Sequence, residues 1–332
     1  MTTISVRAPS RLHFGLLAWG ADAPRQFGGV GLMVAQPGLE LSARPAPAGA
    51  WSAEGPLADR ALRFAGRVAG LLAASGAGAG TGATPPPLHF RIHSAPPEHA
   101  GLGTGTQLGL AVARILAAAV GRADARAPEL AELAGRGLRS GIGLHGSDLG
   151  GLVVDGGRRG AKGTPPLLAH LEFPAEWDVL VVIPGLGPGL HGPDEVRAFA
   201  GLPPIAASLT DRLCRLVLLG ILPAVAERDL PRFGEALTDL QRLVGQTFAP
   251  AQGGPYARPE LQAIVDFLRA EGLHGVGQSS WGPTLYGFGQ LDPDRRASIS
   301  GRLRSRFALG EGTIVWTKAA SGSAMVRRDE GP

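Results

Sequence analysis

The sequence predicts an α+β fold of two domains, and three observations lead there. Patterns of alternating apolar residues and patterns of helical period are intermixed along the chain, without the strict strand–helix–strand repeat of a doubly wound sheet. A glycine-rich stretch, Gly101-Leu102-Gly103-Thr104-Gly105-Thr106-Gln107, runs without a break into the apolar segment Leu108 to Val120. At 332 residues the chain can fill two domains with a core each, expected over 1–175, which carries the phosphate-binding stretch, and 176–332.

Composition narrows the class. With 44% apolar and 18% charged residues the chain reads as globular, and no apolar run approaches the roughly 20 residues that span a bilayer. The longest, Leu213 to Val225, is cut by Arg215, Gly220 and Pro223. The N-terminus shows no secretory pattern, so a cytoplasmic protein is expected. The single cysteine, Cys214, excludes an internal disulfide and reads as a buried, inert thiol in an apolar helical pattern. Thirty-two basic and 28 acidic residues are spread along the chain without basic tracts, which argues against nucleic-acid binding. Only Lys162 and Lys318 are lysines, so the positive charge is carried by arginine, whose planar fork grips phosphate or carboxylate; GC-rich codon usage is the competing explanation.

In chain order, Ile4 to Ala8 and Arg11 to Leu17 alternate as strands, and Val30 to Ala35 and Leu39 to Ala43 extend an antiparallel sheet. Leu57 to Ala73 carries a helical stripe of Leu57, Ala61, Phe64, Val68 and Leu71. Ser75 to Pro87 is a low-complexity surface loop, and Leu88 to His93 a strand that delivers the chain to the glycines. There, alternating glycines allow successive N–H groups to face one anion, Thr104 and Thr106 add hydroxyls, and the following helix aims its dipole at the same place. A turn that merely packs the helix against a sheet is the other reading. The stretch is not a Walker loop, because no Gly-Lys-Ser or Gly-Lys-Thr exists, and Thr106 stands where a dinucleotide fingerprint needs its third glycine.

Pro128 to Arg139 is expected as a helix, with acidic residues in its first turn and basic ones in its last. A second glycine-rich segment follows and ends in the short strand Leu152 to Val154. Asp178 to Ile183 is an apolar strand, and Ala206 to Arg228 and Arg232 to Thr247 are helices, the first kinked or split by Pro223. Pro259 to Arg269 and Asp294 to Arg304 complete the helices, with strands at Thr284 to Phe288 and Thr313 to Thr317.

Three segments, APSRLHFGLL (Ala8 to Leu17), GLGTGTQLGLAVA (Gly101 to Ala113) and GVGQSSWGPTLYGF (Gly275 to Phe288), resemble in order and spacing the three motifs of the galacto-, homoserine, mevalonate and phosphomevalonate (GHMP) kinase superfamily. Within it, the Thr-Gln after the glycines, RQFGGVGL (Arg25 to Leu32), RSGIGLHGSDLGGLVVDGG (Arg139 to Gly157) and QSSWGPTLYGF resemble the beta-ribofuranosylaminobenzene 5'-phosphate synthase family. The resemblance implies an N-terminal domain like the second domain of ribosomal protein S5, a ferredoxin-like C-terminal domain and a site between them. It also implies the committed step of tetrahydromethanopterin biosynthesis: phosphoribosyl pyrophosphate condenses with 4-hydroxybenzoate or 4-aminobenzoate, releasing pyrophosphate and carbon dioxide, in a Mg2+-dependent dimer. An ATP-dependent small-molecule kinase is the alternative, and a silent binding protein a third. Family members carry an acidic residue after the Leu-Leu of the first motif, where this chain has Ala18-Trp19; if that carboxylate serves the chemistry, either Asp22 replaces it or the role is absent here.

Candidate residues follow from that chemistry. The leaving pyrophosphate needs charge stabilisation, for which Gly101, Gly103, Thr104, Gly105, Thr106 and Gln107 are candidates, with Ser279 and Ser280 as nearby hydroxyls. Arg25 is a candidate fork onto phosphate or carboxylate, the alternative being a surface arginine. Asp148, and second to it Asp155, are candidate Mg2+ ligands, or else turn aspartates. His145 lies between glycines as a catalytic candidate, and His13, Trp281 and Tyr286 are candidates for the aromatic substrate, each with core packing as the alternative.

Overall fold

In the computed structural model, residues 2–20, 22–47, 49–76, 84–160, 163–322 and 324–330 are described. A long antiparallel ribbon of β1 (Thr2–Ala18) and β2 (Phe27–Pro45) organises the N-terminal part, where alternation alone predicts four separate strands. Its register shifts between Ala8 and Ser10 and between His13 and Gly15. These irregularities divide the ribbon's inward residues between two cores. Ile4, Val6, Ala8, Leu39 and Leu41 pack with α1 (Ala58–Gly76), α2 (Thr104–Ala119) and α3 (Ala127–Ala134), whereas Leu12, Phe14, Leu16, Val30 and Leu32 belong to a second core. Arg11 and His13 lie on the stretch of ribbon where one core gives way to the other.

Short strands β3 (Ser52–Glu54), β4 (Leu88–Ser94), β5 (Leu152–Asp155) and β6 (Leu167–Leu171) extend the ribbon into one sheet, with α4 (Ile142–Leu149) preceding β5. The second sheet consists of β7 (Asp178–Val182), β8 (His274–Gln278), β9 (Leu285–Gly289) and β10 (Ile314–Thr317), in the order β10-β7-β9-β8. Its helices are α5 (Gly192–Gly201), α6 (Ala207–Leu216), α7 (Leu222–Ala226), α8 (Leu230–Gln252), α9 (Glu260–Ala270) and α10 (Pro293–Phe307). The final strand β11 (Met325–Glu330) crosses back and pairs antiparallel with β1. The C-terminal strand, expected within 176–332 as part of the second domain, thus belongs to the first sheet. The α+β class stands.

The second core joins both sheets. Phe14 of β1 packs on Tyr286 and Phe288 of β9, and Phe288 meets Phe233 of α8 and Phe173. The helix expected over 206–228 carries a π-helical turn at Val217–Ile221 directly before Pro223, so the chain stays helical where the proline, which lacks an N–H, would otherwise break the regular ladder. Within Leu213 to Val225, Leu213, Val217, Ile221 and Val225 fill the chain's own core, while Leu218 and Leu219 are exposed. Cys214 is exposed as well, so the expectation of a buried thiol is corrected; on α6 it is the neighbouring Leu213 that turns inward. The loop expected over 75–87 overlaps the end of α1, and its residues 77–83 lie outside the described ones. No helix among the described residues is long and apolar enough to cross a membrane.

Tyr286 belongs to this core and not to a substrate surface, which corrects its expected role: it is fully buried, its hydroxyl has no partner, and burial pushes its pKa well above the usual value. Removing a buried, unpaired hydroxyl relieves a desolvation cost, so Tyr286→Phe should leave activity unchanged and stability unchanged or up to about 1 kcal/mol higher by urea denaturation. A marked loss of activity would return Tyr286 to the site.

Candidate active site

The three recognisable motifs meet at one side chain. Ser279, fully buried, accepts a hydrogen bond from the His13 N–H (3.0 Å) and donates one to the Gly101 carbonyl (2.7 Å). The Ser280 N–H donates to the His13 carbonyl at 3.0 Å, and the Arg11 N–H to the Leu102 carbonyl at 2.9 Å. Gly101 and Gly103 take φ of +86° and +74°, which side chains disfavour, and a Cβ on Gly101 would collide with the Ser279 carbonyl. The turn is thereby pressed against β1 and the 279–282 segment, and α2 begins at once. Thr104 to Gln107 are the first turn of the helix, which the sequence reading places in a loop. The Thr106 and Gln107 N–H groups donate to the Gly103 carbonyl, while the helix start leaves those of Thr104 and Gly105 without an intrahelical acceptor.

Two adjoining chambers flank this junction. The first is lined by Gly101 and Gly103 to Thr106 and by Arg11, Arg60, Arg136 and Arg139. Arg60 pairs with Glu98, and Arg139 with Glu195 of α5. Arg136 donates to the Thr106 hydroxyl at 3.2 Å, and its buried Nε has no partner. Arg11 is the least satisfied of the four: its Nη1 is buried without a partner. Burial pulls its pKa down to about 10, against the opposing charges of Glu195 and Asp155, so the guanidinium remains a cation at neutral pH. Burial also lowers the pKa of Arg60, with Arg63 adding, and of Arg136, with Arg60 and Arg139 adding. A cavity with this much crowded positive charge and first-turn amides is built for a polyanion.

The second chamber is apolar and aromatic. Phe14, Phe27, Phe199, Phe248 and Trp281 line it, with the Phe248 and Trp281 rings 4.5 Å apart and Phe199 edge-on to Trp281 at 5.2 Å. Arg11, Arg139, Ser140, Glu195, Ser280 and Trp281 line both chambers and form the shared wall. Glu195 and Phe199, one turn apart, let α5 cover both sides of that wall. His13 faces the aromatic chamber; burial, reinforced by Arg11, holds its pKa well below 6.5, so the ring is neutral at pH 7.

The structure thus brings His13, Gly101, Gly103, Thr104, Gly105, Thr106, Ser280 and Trp281 to the two chambers. Other candidates serve the scaffold. Arg25 donates to the Gly156 and Gly157 carbonyls, at 2.6 and 2.9 Å. Asp148 is paired with Arg114 at 2.8 Å and accepts the Ala127 N–H at the start of α3. Asp155 is fully buried, accepting the Gly141 and Gly157 N–H groups and the Ser140 hydroxyl, and burial raises its pKa. His145 bonds the Pro165 carbonyl, Gln107 donates to the Gly143 carbonyl, and Ser279 is the clasp described above. Asp22 is exposed and lines neither chamber, while Trp19 packs on Phe248. No group of three or more metal-binding side chains occurs among the described residues, and Glu195 is the one carboxylate on the chamber walls. The residues present therefore do not fit a resident Mg2+ site, and Asp148 and Asp155 are corrected as ligands, their oxygens being engaged elsewhere.

Sequence reading missed Arg11, Arg60, Arg136, Arg139, Glu195, Phe199 and Phe248. Arg11 and Arg139 stood inside motifs already singled out; α5, without a single fully buried residue, was not among the helices expected from the sequence.

Comparisons with known proteins agree with this architecture. Residues 63–152 match the family model for the GHMP kinases N terminal domain and residues 221–309 that for the GHMP kinases C terminal. The chain is 30% identical to a protein of Methanothermobacter thermautotrophicus named Beta-ribofuranosylphenol 5'-phosphate synthase, over 97% of this chain and 98% of that one. It is 32% identical to a protein of the same name from Archaeoglobus fulgidus, over 92% and 93%. Among solved structures, homoserine kinase of Cytophaga hutchinsonii superposes with a TM-score of 0.68 at 16% identity, over 98% of this chain and 97% of that one. Mevalonate diphosphate decarboxylase of Enterococcus faecalis gives 0.64 at 15% identity, over 100% of both. At these identities the likeness is one of fold.

Two outcomes test the site's construction. Ser279→Ala strips two buried backbone groups of their partner and should cost about 2–4 kcal/mol in urea denaturation; a loss below about 1 kcal/mol would mean the junction is held elsewhere. The second concerns pH. Since His13 titrates well below 6.5 when folded, the unfolded chain binds a proton that the folded one does not, and stability should fall as pH drops below 6.5. The slope contributed is at most about 1.4 kcal/mol per pH unit, and His13→Asn should flatten it; an unchanged slope would assign the acid sensitivity to another group.

Proposed function

We propose that the chain, which belongs to the beta-ribofuranosylphenol 5'-phosphate synthase family, condenses phosphoribosyl pyrophosphate with a 4-substituted benzoate and releases pyrophosphate and carbon dioxide. The observation that carries the reading is the pair of chambers sharing Arg11: an arginine-lined cavity against an aromatic one, with a buried, partnerless guanidinium nitrogen between them. One suits a polyphosphorylated sugar and the other a flat ring with a carboxylate at its edge.

In this reading Arg60, Arg136 and the first-turn amides of α2 bind the pyrophosphate and stabilise the charge that develops as the bond from the anomeric carbon to oxygen breaks, its electron pair leaving with pyrophosphate. The ring carbon that bears the carboxylate then gives a π pair to the anomeric carbon. The bond to the carboxylate breaks, its electron pair restores the aromatic ring, and carbon dioxide departs. No ring proton is removed, so no general base is needed. Arg11, next to both chambers, aligns the two reactants across the shared wall. Mg2+ enters in this account with phosphoribosyl pyrophosphate, held by the substrate's own oxygens.

A kinase would want a carboxylate base, yet among the described residues no aspartate lines either chamber and Glu195 is paired with Arg139. Incubation with phosphoribosyl pyrophosphate, Mg2+ and carboxyl-labelled 4-hydroxybenzoate should release labelled carbon dioxide and pyrophosphate in equal amounts. ATP hydrolysis stimulated by a small alcohol, without carbon dioxide release, would contradict the proposal.

A further inference from the structure

Apart from Arg11, already described, five polar side chains of the aromatic chamber are committed to the protein. Gln241 donates to the Phe14 carbonyl and accepts the Gln278 N–H at 2.9 Å. Gln278 accepts the Ala257 N–H at 2.7 Å and donates to the Ser280 carbonyl at 3.0 Å. Ser140 bonds Asp155 and Ile142, and Arg139 pairs with Glu195. Gln252 differs. It ends α8, one turn beyond Phe248 on the stripe of that helix which lines the chamber, and its Oε1 is buried with no hydrogen-bond partner.

A buried carbonyl oxygen without a donor carries a desolvation cost that a ligand can remove. We infer that Gln252 reads the 4-position of the aromatic acceptor, selecting benzoates that carry a hydrogen-bond donor there. This rests on the synthase reading given above. A phenol O–H and an aniline N–H both donate to Oε1, so the device accepts either and rejects 4-methylbenzoate, which fills the same space and leaves the oxygen unpaired. It also matches the chemistry. When the ring carbon opposite the substituent attacks, positive charge spreads onto the 4-oxygen or 4-nitrogen and makes its hydrogen a stronger donor, so the bond to Gln252 strengthens along the reaction.

Calorimetric titration of 4-hydroxybenzoate, 4-aminobenzoate and 4-methylbenzoate tests the inference. The natural chain should prefer the two donors over the methyl compound by about tenfold, the value of one hydrogen bond to a buried acceptor. Gln252→Leu should abolish or reverse that preference, while Gln252→Glu, which keeps an acceptor, should retain it; affinity for inorganic pyrophosphate, the probe for the other chamber, should be unchanged in both. A preference that survives Gln252→Leu, or a natural chain that binds all three compounds equally, overturns the role of Gln252 and leaves the synthase reading intact. A natural chain that binds pyrophosphate but none of the benzoates overturns the synthase reading, and the inference with it.

Discussion

The buried hydroxyl of Ser279 is the interaction on which the rest of the site depends. One oxygen holds the N–H of His13 and the carbonyl of Gly101, and so fixes β1, the glycine turn and the 279–282 segment to one another. The glutamines 241 and 278 extend the network to Phe14, Ala257 and Ser280, so five stretches distant in sequence share one hydrogen-bonded core. Each of these groups is buried or half-buried, where an unmade hydrogen bond is costly, and the cost of losing any one is what keeps the two chambers in register. Charged residues contribute little to this; the arginines sit around the network and not in it.

The second constraint is the β1–β2 ribbon. Because its register shifts on either side of Arg11 and His13, the strand can serve the helical core at one end and the aromatic core at the other, and the residues between them face the boundary. A boundary between two cores is where a cationic side chain can be buried on its stem and left unsatisfied at its tip. Arg11 is in that state, and Arg136 nearly so. Such groups raise the energy of the free protein and lower it on binding an anion, which is the physical sense in which the site is prepared for its ligand.

Much of this was legible in the sequence. The α+β class, the glycine turn, the buried α2 and the positions of β4, β7, β9, β10, α8, α9 and α10 follow from period and punctuation, within a few residues at each end. The backbone conformation of the glycine turn was likewise visible, since Gly101 and Gly103 are needed for positive φ. What sequence could not supply is which polar residues turn inward. Asp148 and Asp155 looked like ligands because aspartate among glycines reads equally as a metal site or as a capped turn, and only tertiary contacts with Arg114, Ala127, Gly141 and Gly157 decide. Arg11 and Arg139 were hidden for the converse reason: one arginine among 30 carries no signal until its neighbours are known. The helix α5 is short and none of its residues is fully buried, so its two contributions, Glu195 and Phe199, emerge only from the fold.

The central claim is that one guanidinium, that of Arg11, serves both chambers. Calorimetric titration of Arg11→Gln with pyrophosphate and, separately, with 4-hydroxybenzoate tests it most directly, with Arg60→Gln and Phe248→Ala as single-chamber references. The account predicts that Arg11→Gln weakens both ligands by about tenfold or more, that Arg60→Gln weakens pyrophosphate alone and that Phe248→Ala weakens the benzoate alone. An Arg11→Gln protein that is folded and binds both ligands with unchanged affinity would contradict it.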